Sequence, residues 1–426
     1  MQEFGKFYQK TRDQRLRLLR KFKITAQQEE VLRKQAVNPA LGDTMIENYL
    51  TDYTLPEGLS FHYLIDGEKY LVPMVTEEPS VIAASSHGAS LVEQAGGFST
   101  KLTARLLLGQ IVIENVQNME QLCSQLEAIF PQLLETAQNA HPSLSKRGGG
   151  ARWLRTRPLS ADLLSLDLAV DVQEAMGANM MNTMLEAVAQ EITQRLGTDV
   201  LLAVLSNYAT ECLVTASCRI PIDVLAKGEL AGETVAKKIV QASRVAQLDP
   251  YRAATHNKGI MNGIDAVVLA TGNDWRAIES GIHAFATRTG SYRGLSTWEL
   301  TGGSLVGKLT IPAPVGFVGG SIGIVPLVAV NHELLQLKSA RNLEKVIVSV
   351  GLAQNLAALY ALVTEGIQRG HMRLQLKSLI LTAGAAPDEV APPLMAQLLQ
   401  SEKQDLAAVS VLCKLIAKGE RVNDRT

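Results

Sequence analysis

The chain has 426 residues, a formal net charge of −1, 46% hydrophobic and 19% charged residues. That balance excludes a disordered chain, and the near-neutral charge leaves no footprint for nucleic acid. A chain of this length is too long for one simple core, so two or three domains are expected.

In chain order, Lys and Arg first cluster from Lys6 to Lys34, interleaved with Leu16, Leu18, Leu19 and Phe22. This is the pattern of amphipathic helices with a solvated basic face. Phe61–Val72 predicts a hairpin turning at Asp66-Gly67. Pro79 suits the first turn of a helix that continues through Ser90 and Val92, rich in Ala, Ser and Gly. Such small residues call for the close approach of another backbone.

From Leu106 to Leu205 the rhythm changes. Strand Leu107–Glu114, helix Met119–Ala137, strands Arg152–Leu159 and Leu163–Val172, helix Met180–Leu196 and strand Val200–Leu205 are predicted. The order β-α-β-β-α-β is ferredoxin-like. Gly259–Ala270 reads as a buried helix with Lys258 at its start, stopped by Thr271-Gly272. Asn273 or Asp274 then opens a helix over Trp275–Ala286. Gly319–Gly323 is a glycine-rich turn. A helix is predicted from Gln354 to about Gln368, capped by Gly370, with a hinge at Ala383–Asp388 and a helical unit over Leu394–Gly419. No apolar run reads as long enough to span a bilayer. Cys123, Cys212, Cys218 and Cys413 lack zinc-ligand spacing and read as free buried thiols; no metal site is expected.

The densest chemistry lies at Arg252–Arg276. Arg252, Lys258, Asn262 and Asp274 crowd into an otherwise apolar, glycine-rich stretch, where charge is usually paired or functional. A lysine beside a carboxylate can hold a developing negative oxygen.

This segment resembles the catalytic core of the hydroxymethylglutaryl-CoA reductases, specifically the soluble bacterial class II enzymes. Pro73–Ser85 resembles their acidic catalytic motif, and Glu174-Ala-Met-Gly-Ala-Asn179 their dinucleotide-binding motif. Gly351–Asn355 and Thr364–Met372 resemble their carboxy-terminal substrate and histidine motifs. The resemblance runs along nearly the whole chain, with the motifs in the family's order.

The resemblance implies an α+β fold: a large α/β domain (1–104 and 211–382) with an inserted ferredoxin-like small domain (105–210) that binds the cofactor. A C-terminal helical flap (383–426) would close over the site. It implies reduction of 3-hydroxy-3-methylglutaryl-CoA to mevalonate and CoA with two NAD(P)H, or the reverse, through a hemithioacetal and an aldehyde. It also implies a homodimer or a higher oligomer of dimers; vertebrate relatives carry a membrane anchor, this sequence shows none, and a cytoplasmic location is expected. Lys258 would stabilise the oxyanions, Asp274 would pair with Lys258, Glu78 would donate a proton near the aldehyde oxygen, and His371 would protonate the departing thiolate. For that role Glu78 needs a raised pKa, which burial would give, although a helix start works the other way.

Ser80, Arg252, Asn262, Asn355 and, more weakly, Gln354 would bind substrate, with Arg252 holding its carboxylate. Arg152, Trp153, Glu174, Met176, Gly177, Ala178 and Asn179 would bind the cofactor. Glu174 stands where the family commonly has Asp. Trp153 stands where NADH-preferring relatives carry an acid, and Arg152, Arg155 and Arg157 surround it, which favours NADPH and its 2′-phosphate. The small-residue helix after Glu78 is expected to pack on the partner subunit, so that the acid of one subunit completes the lysine, aspartate and histidine set of the other. A catalytically silent CoA-binding relative is the alternative. The required residue types at Glu78, Lys258, Asp274 and His371 argue against it.

Overall fold

The computed structural model describes residues 7–364 except 23, 36 and 37, together with residue 366. His371, Gly370, Cys413 and the flap at 383–426 lie outside the described residues. The chain forms two compact units, Met1–Pro56 and Glu57–Thr426, where the sequence grouped 1–104 together.

The first unit holds α1 (Arg12–Phe22), α2 (Ala26–Gln35) and α3 (Pro39–Met45), with Arg15 on α1. Its guanidinium is buried and meets the Asp43 carboxylate and the carbonyl of Tyr49.

The second unit opens with β1 (Glu57–Ile65) and β2 (Glu68–Val75), joined by the two-residue turn Asp66-Gly67 with φ of 49° and 85°. Both angles are positive, as a type I′ hairpin requires. Helix α4 (Val81–Glu93) follows, then β3 (Ser99–Leu102). The chain next builds β4 (Leu106–Glu114), α5 (Met119–Ala128), α6 (Phe130–Ala140), α7 (Pro142–Ser145), β5 (Gly150–Pro158), β6 (Leu164–Asp171), α8 (Ala178–Leu196) and β7 (Asp199–Ser206). The antiparallel sheet order β5-β6-β4-β7 is that of a ferredoxin-like unit. Its hydrophobic core, including Ile111, Leu166 and Leu185, is separate from that of the rest. The single helix expected over Met119–Ala137 is two helices, because Pro131 starts α6.

The remaining elements are β8 (Leu213–Pro221), α9 (Gly232–Leu248), α10 (Pro250–Ala270), α11 (Trp275–Ala286), β9 (Ser296–Thr301), β10 (Ser304–Pro312), α12 (Pro326–Leu334) and α13 (Ala340–Val363). A sheet of order β3-β8-β10-β9 packs under α9, α11 and α13.

Two expectations change here. Helix α13 begins at Ala340, capped by Ser339, and ends at Val363, well before Gly370. By length and composition it could cross a membrane, contrary to the sequence reading, but most of it is buried in the protein core. Helix α4 meets its close-packed backbone inside its own chain. A Cβ on Gly88 would lie 2.0 Å from the Ala353 carbonyl oxygen of α13.

Between α10 and α11 lies a partly buried polar set. Burial, then the neighbouring Glu279 carboxyl, pushes the pKa of Asp265 far above the carboxylate range. His283 holds Glu279 ionised across a 2.7 Å contact and bonds the Tyr292 hydroxyl at 2.7 Å.

Candidate active site

Helix α10 starts where Asp249 accepts hydrogen bonds from the N–H groups of Tyr251 and Arg252, with Pro250 at its first position. It therefore begins eight residues before Lys258. Arg252, Thr255, Lys258, Gly259 and Asn262 fall along one of its faces, while Ala253, Ile260, Ile264 and Val267 are buried in the core.

That polar face borders a cavity of about 560 Å³, closed by Ser80 and Ala84 of the α4 region and by Gln354, Asn355 and Leu362 of α13. Lys258 Nζ donates to Glu78 Oε2 at 2.6 Å. Both side chains are partly exposed, at 59% and 37%, so Glu78 lacks the deep burial expected of it. Ser80, two residues on, sits at φ 74° as the N-cap of α4. A left-handed serine costs about 1–3 kcal/mol unless its surroundings fix it, and such strain gathers at functional sites.

Arg252 is half-buried. Among the described residues its guanidinium has no hydrogen bond or ion pair, and burial alone lowers its pKa. The buried Gln354 Oε1 also lacks a partner among the described residues. Asn355 is held in a buried network: its Oδ1 accepts from Ser296 Oγ and Trp298 Nε1, both at 2.8 Å. Its amide lies 3.1 Å from His256 Nε2. His256, which sequence reasoning passed over, borders the cavity too. Burial, then the charge of Arg252, lowers its pKa to about 3, so it is a neutral imidazole.

A second cavity, of about 610 Å³, is formed by the 175–180 turn, Gly272–Arg276, Gly319-Gly320 and Arg147. Two helix starts converge on it. Gly177, at φ 88°, is the N-cap of the 19-residue α8, and a Cβ there would strike Val172 at 2.4 Å. Asp274 is the N-cap of α11, accepting from the N–H groups of Arg276 and Ala277 at 3.1 Å. Exposed backbone N–H groups and flanking arginines suit a pyrophosphate.

The family model for hydroxymethylglutaryl-coenzyme A reductase matches residues 11–376. The chain belongs to this family. It is 41% identical over 389 residues to the 3-hydroxy-3-methylglutaryl-coenzyme A reductase of Archaeoglobus fulgidus, covering 90% of this chain and 88% of that one. A probable reductase of Borreliella burgdorferi is 37% identical over 339 residues, 79% of this chain and 77% of its own. Among solved structures, a class II reductase from Streptococcus pneumoniae bound to NADPH in open conformations is 46% identical with a TM-score of 0.75, covering 85% and 100% of the two chains. Another structure of that reductase covers 97% and 99%, with a TM-score of 0.76.

In this reductase-family chain the first cavity brings together Glu78, Ser80, Arg252, Lys258, Asn262, Gln354 and Asn355, all expected at a substrate site. Met176, Gly177, Ala178 and Asn179 border the second. Four expected placements differ. Asp274 does not meet Lys258: Lys258 stands twelve residues before the end of α10, about 18 Å of helix, and Asp274 follows that end. The Glu174 carboxylate turns from the cavity and accepts from Ala340 N at 2.6 Å, at the start of α13. Arg152 bonds Asp171 Oδ2 at 2.9 Å and the Gly148 carbonyl, while Trp153 lies under Arg155. Neither borders the cavity; Arg147 does, and its place just before Gly148-Gly149-Gly150 was the available signal. Lastly, Glu78 and Lys258 meet within one chain, where the sequence reading had assigned them to different subunits.

Proposed function

We propose that the chain reduces 3-hydroxy-3-methylglutaryl-CoA to mevalonate and CoA in the mevalonate pathway. The observation that carries this is the Lys258–Glu78 pair on the wall of a cavity that also holds the half-buried Arg252, whose guanidinium has no partner among the described residues. A spectrophotometric assay tests it: about two reduced nicotinamides should be consumed per substrate, and a folded but inert protein would refute it.

Arg252 binds the substrate's terminal carboxylate as a planar fork. Lys258 stabilises the negative oxygen that forms on the thioester carbon and later on the aldehyde. Glu78, hydrogen-bonded to that ammonium, passes a proton to the same oxygen. Ser80, Asn262, Gln354 and Asn355 orient the substrate. His371 protonates the thiolate, as the resemblance implies.

The second cavity takes the nicotinamide cofactor, which supplies the hydrides when bound. Gly177, Ala178 and Asn179 at the α8 start, with Met176 and Arg147 beside them, would hold its pyrophosphate. NADPH is the preferred form, supported by the arginines at this cavity and by the NADPH described for the Streptococcus pneumoniae relative.

The working assembly is a homodimer. Asp274 and Lys258 lie apart in one chain, so an Asp274–Lys258 pair requires two copies, with the aspartate and cofactor loop of one facing the lysine and glutamate of the other. The ferredoxin-like region at 105–210 acts as a cofactor domain. The compartment is the cytoplasm.

A further inference from the structure

Arg105 immediately precedes β4, where the chain enters the ferredoxin-like region, and it is only 7% exposed. Its guanidinium serves four acceptors from three parts of the chain. Nε donates to Glu344 Oε1 at 2.8 Å, Nη1 to the Gln173 carbonyl, and Nη2 to the carbonyls of Ala175, at 3.1 Å, and Val315. Glu344 is 3% exposed and lies on the first turns of α13. Burial pushes its pKa up and Arg105 pulls it back. Cys212, where the chain leaves the region, also reaches Glu344 Oε1, at 3.7 Å.

The loop between those carbonyls is held on a second side. Glu174 O accepts from Phe317 N at 2.7 Å and Val318 N at 3.2 Å, and its carboxylate caps Ala340. A Cβ on Gly316 would lie 2.6 Å from Met176 N, so the two backbones touch. The next residues, Met176–Asn179, border the second cavity. At its other end α13 supplies Gln354 and Asn355 to the first cavity, about 15 Å along the helix from Glu344.

We propose that Arg105 is a positioning residue for the cofactor loop: it pins Gln173 and Ala175 to Glu344, and so fixes the loop that receives the pyrophosphate on the same rod that carries Gln354 and Asn355. This rests on the reading of the second cavity as the cofactor site. A planar fork is needed, because the four acceptors lie in different directions and one ammonium cannot meet them all.

The test is NADPH affinity by fluorescence titration of the full chain, with the KM for hydroxymethylglutaryl-CoA measured alongside. Arg105→Lys keeps the charge facing Glu344 and loses the fork. It should weaken NADPH binding at least tenfold while the substrate KM stays within about twofold. Glu344→Gln, which keeps the acceptor and removes the charge, should weaken NADPH binding several-fold in the same direction, and it carries the test should Arg105→Lys fail to fold. Unchanged NADPH affinity, or equal losses for cofactor and substrate with a lowered melting temperature, would overturn the proposal. Met176→Trp, which fills the second cavity, separates the two readings. If it blocks NADPH while Arg105→Lys does nothing, only the clamp falls. If it leaves NADPH binding intact, the cofactor-site reading falls and takes the clamp with it.

Discussion

Lys258 Nζ lies 2.6 Å from Glu78 Oε2, and the two residues belong to one chain. The loop before α4 and the middle of α10, 180 residues apart in sequence, thus set a carboxyl group beside a cation. The first prediction follows from this contact. Lys258→Ala removes the cation at both oxyanions, and loss of one such donor costs on the order of a hundredfold or more in rate. Reduction of hydroxymethylglutaryl-CoA and of free mevaldehyde should both collapse while the circular dichroism spectrum is retained. Near-normal turnover of either substrate would remove Lys258 from that step.

The second prediction concerns hybrids of inactive chains. A Lys258→Ala chain refolded with an Asp274→Ala chain should regain activity at one of its two sites, because the remaining lysine and aspartate then face each other. A Lys258→Ala chain refolded with a Glu78→Gln chain should stay inactive, because those residues act from one chain. Hybrids shown to form by mass spectrometry yet inactive in the first mixture would exclude a shared site.

Much of this site was legible in the sequence because the resemblance fixed residue identities motif by motif. The glycine turn at the α8 start, the hairpin at Asp66-Gly67 and the Asp274 cap are local matters, written in adjacent residues. Direction was harder to read. The polar residues Thr255, His256, Asn257 and Lys258 hid the first half of α10, although Asp249-Pro250 was a fair start signal. The partner of the small-residue helix α4 proved to be α13, far along the same chain, which composition alone does not specify. Glu174 was expected at the cofactor, but its carboxylate reaches Ala340, a contact fixed only by tertiary folding.

A third prediction uses His256. Burial, then Arg252, lowers its pKa to about 3, whereas in an unfolded chain it is about 6.5. Its stabilising contribution is therefore full above pH ~6.5 and drains as pH falls towards 3, by about 1.4 kcal/mol per pH unit within that window. His256→Gln, which can still bond Ser296, should flatten the fall in stability between pH 7 and pH 4.5, read from urea midpoints. Parallel curves for the two proteins would mean that His256 does not govern acid lability.

A fourth prediction has the opposite sign. Asp265 keeps its proton in the folded chain because burial and Glu279 raise its pKa, whereas the unfolded chain releases it near pH ~3.9. Stability from this group is full below that pH and is lost as pH rises, until the folded group ionises as well. Asp265→Asn stays neutral and can still donate to Glu279. It should be more stable than the parent, by a margin that grows from pH 5 to pH 8. A margin that is constant or shrinking over that range would contradict the shared proton.

The last prediction sets two routes to cofactor choice against each other. The sequence pointed to Trp153, in the place where NADH-preferring relatives carry an acid. In the folded chain Trp153 packs under the Arg155 guanidinium, 5.3 Å from it, and Arg152 is tied to Asp171. Arg147 instead borders the cavity formed by the α8 start, with its Nε on the Ser143 carbonyl at 3.2 Å. An arginine there can meet the 2′-phosphate that distinguishes NADPH from NADH. Arg147→Ala should therefore raise the KM for NADPH about tenfold or more, as loss of a charge-assisted contact of about 1.5–3 kcal/mol implies, and leave the KM for NADH nearly unchanged. Trp153→Asp should shift preference less, because that side chain lies outside the cavity. Steady-state kinetics with both cofactors on both variants decide the matter. A larger shift from Trp153→Asp than from Arg147→Ala would return the choice to the β5 strand and remove Arg147 from cofactor recognition.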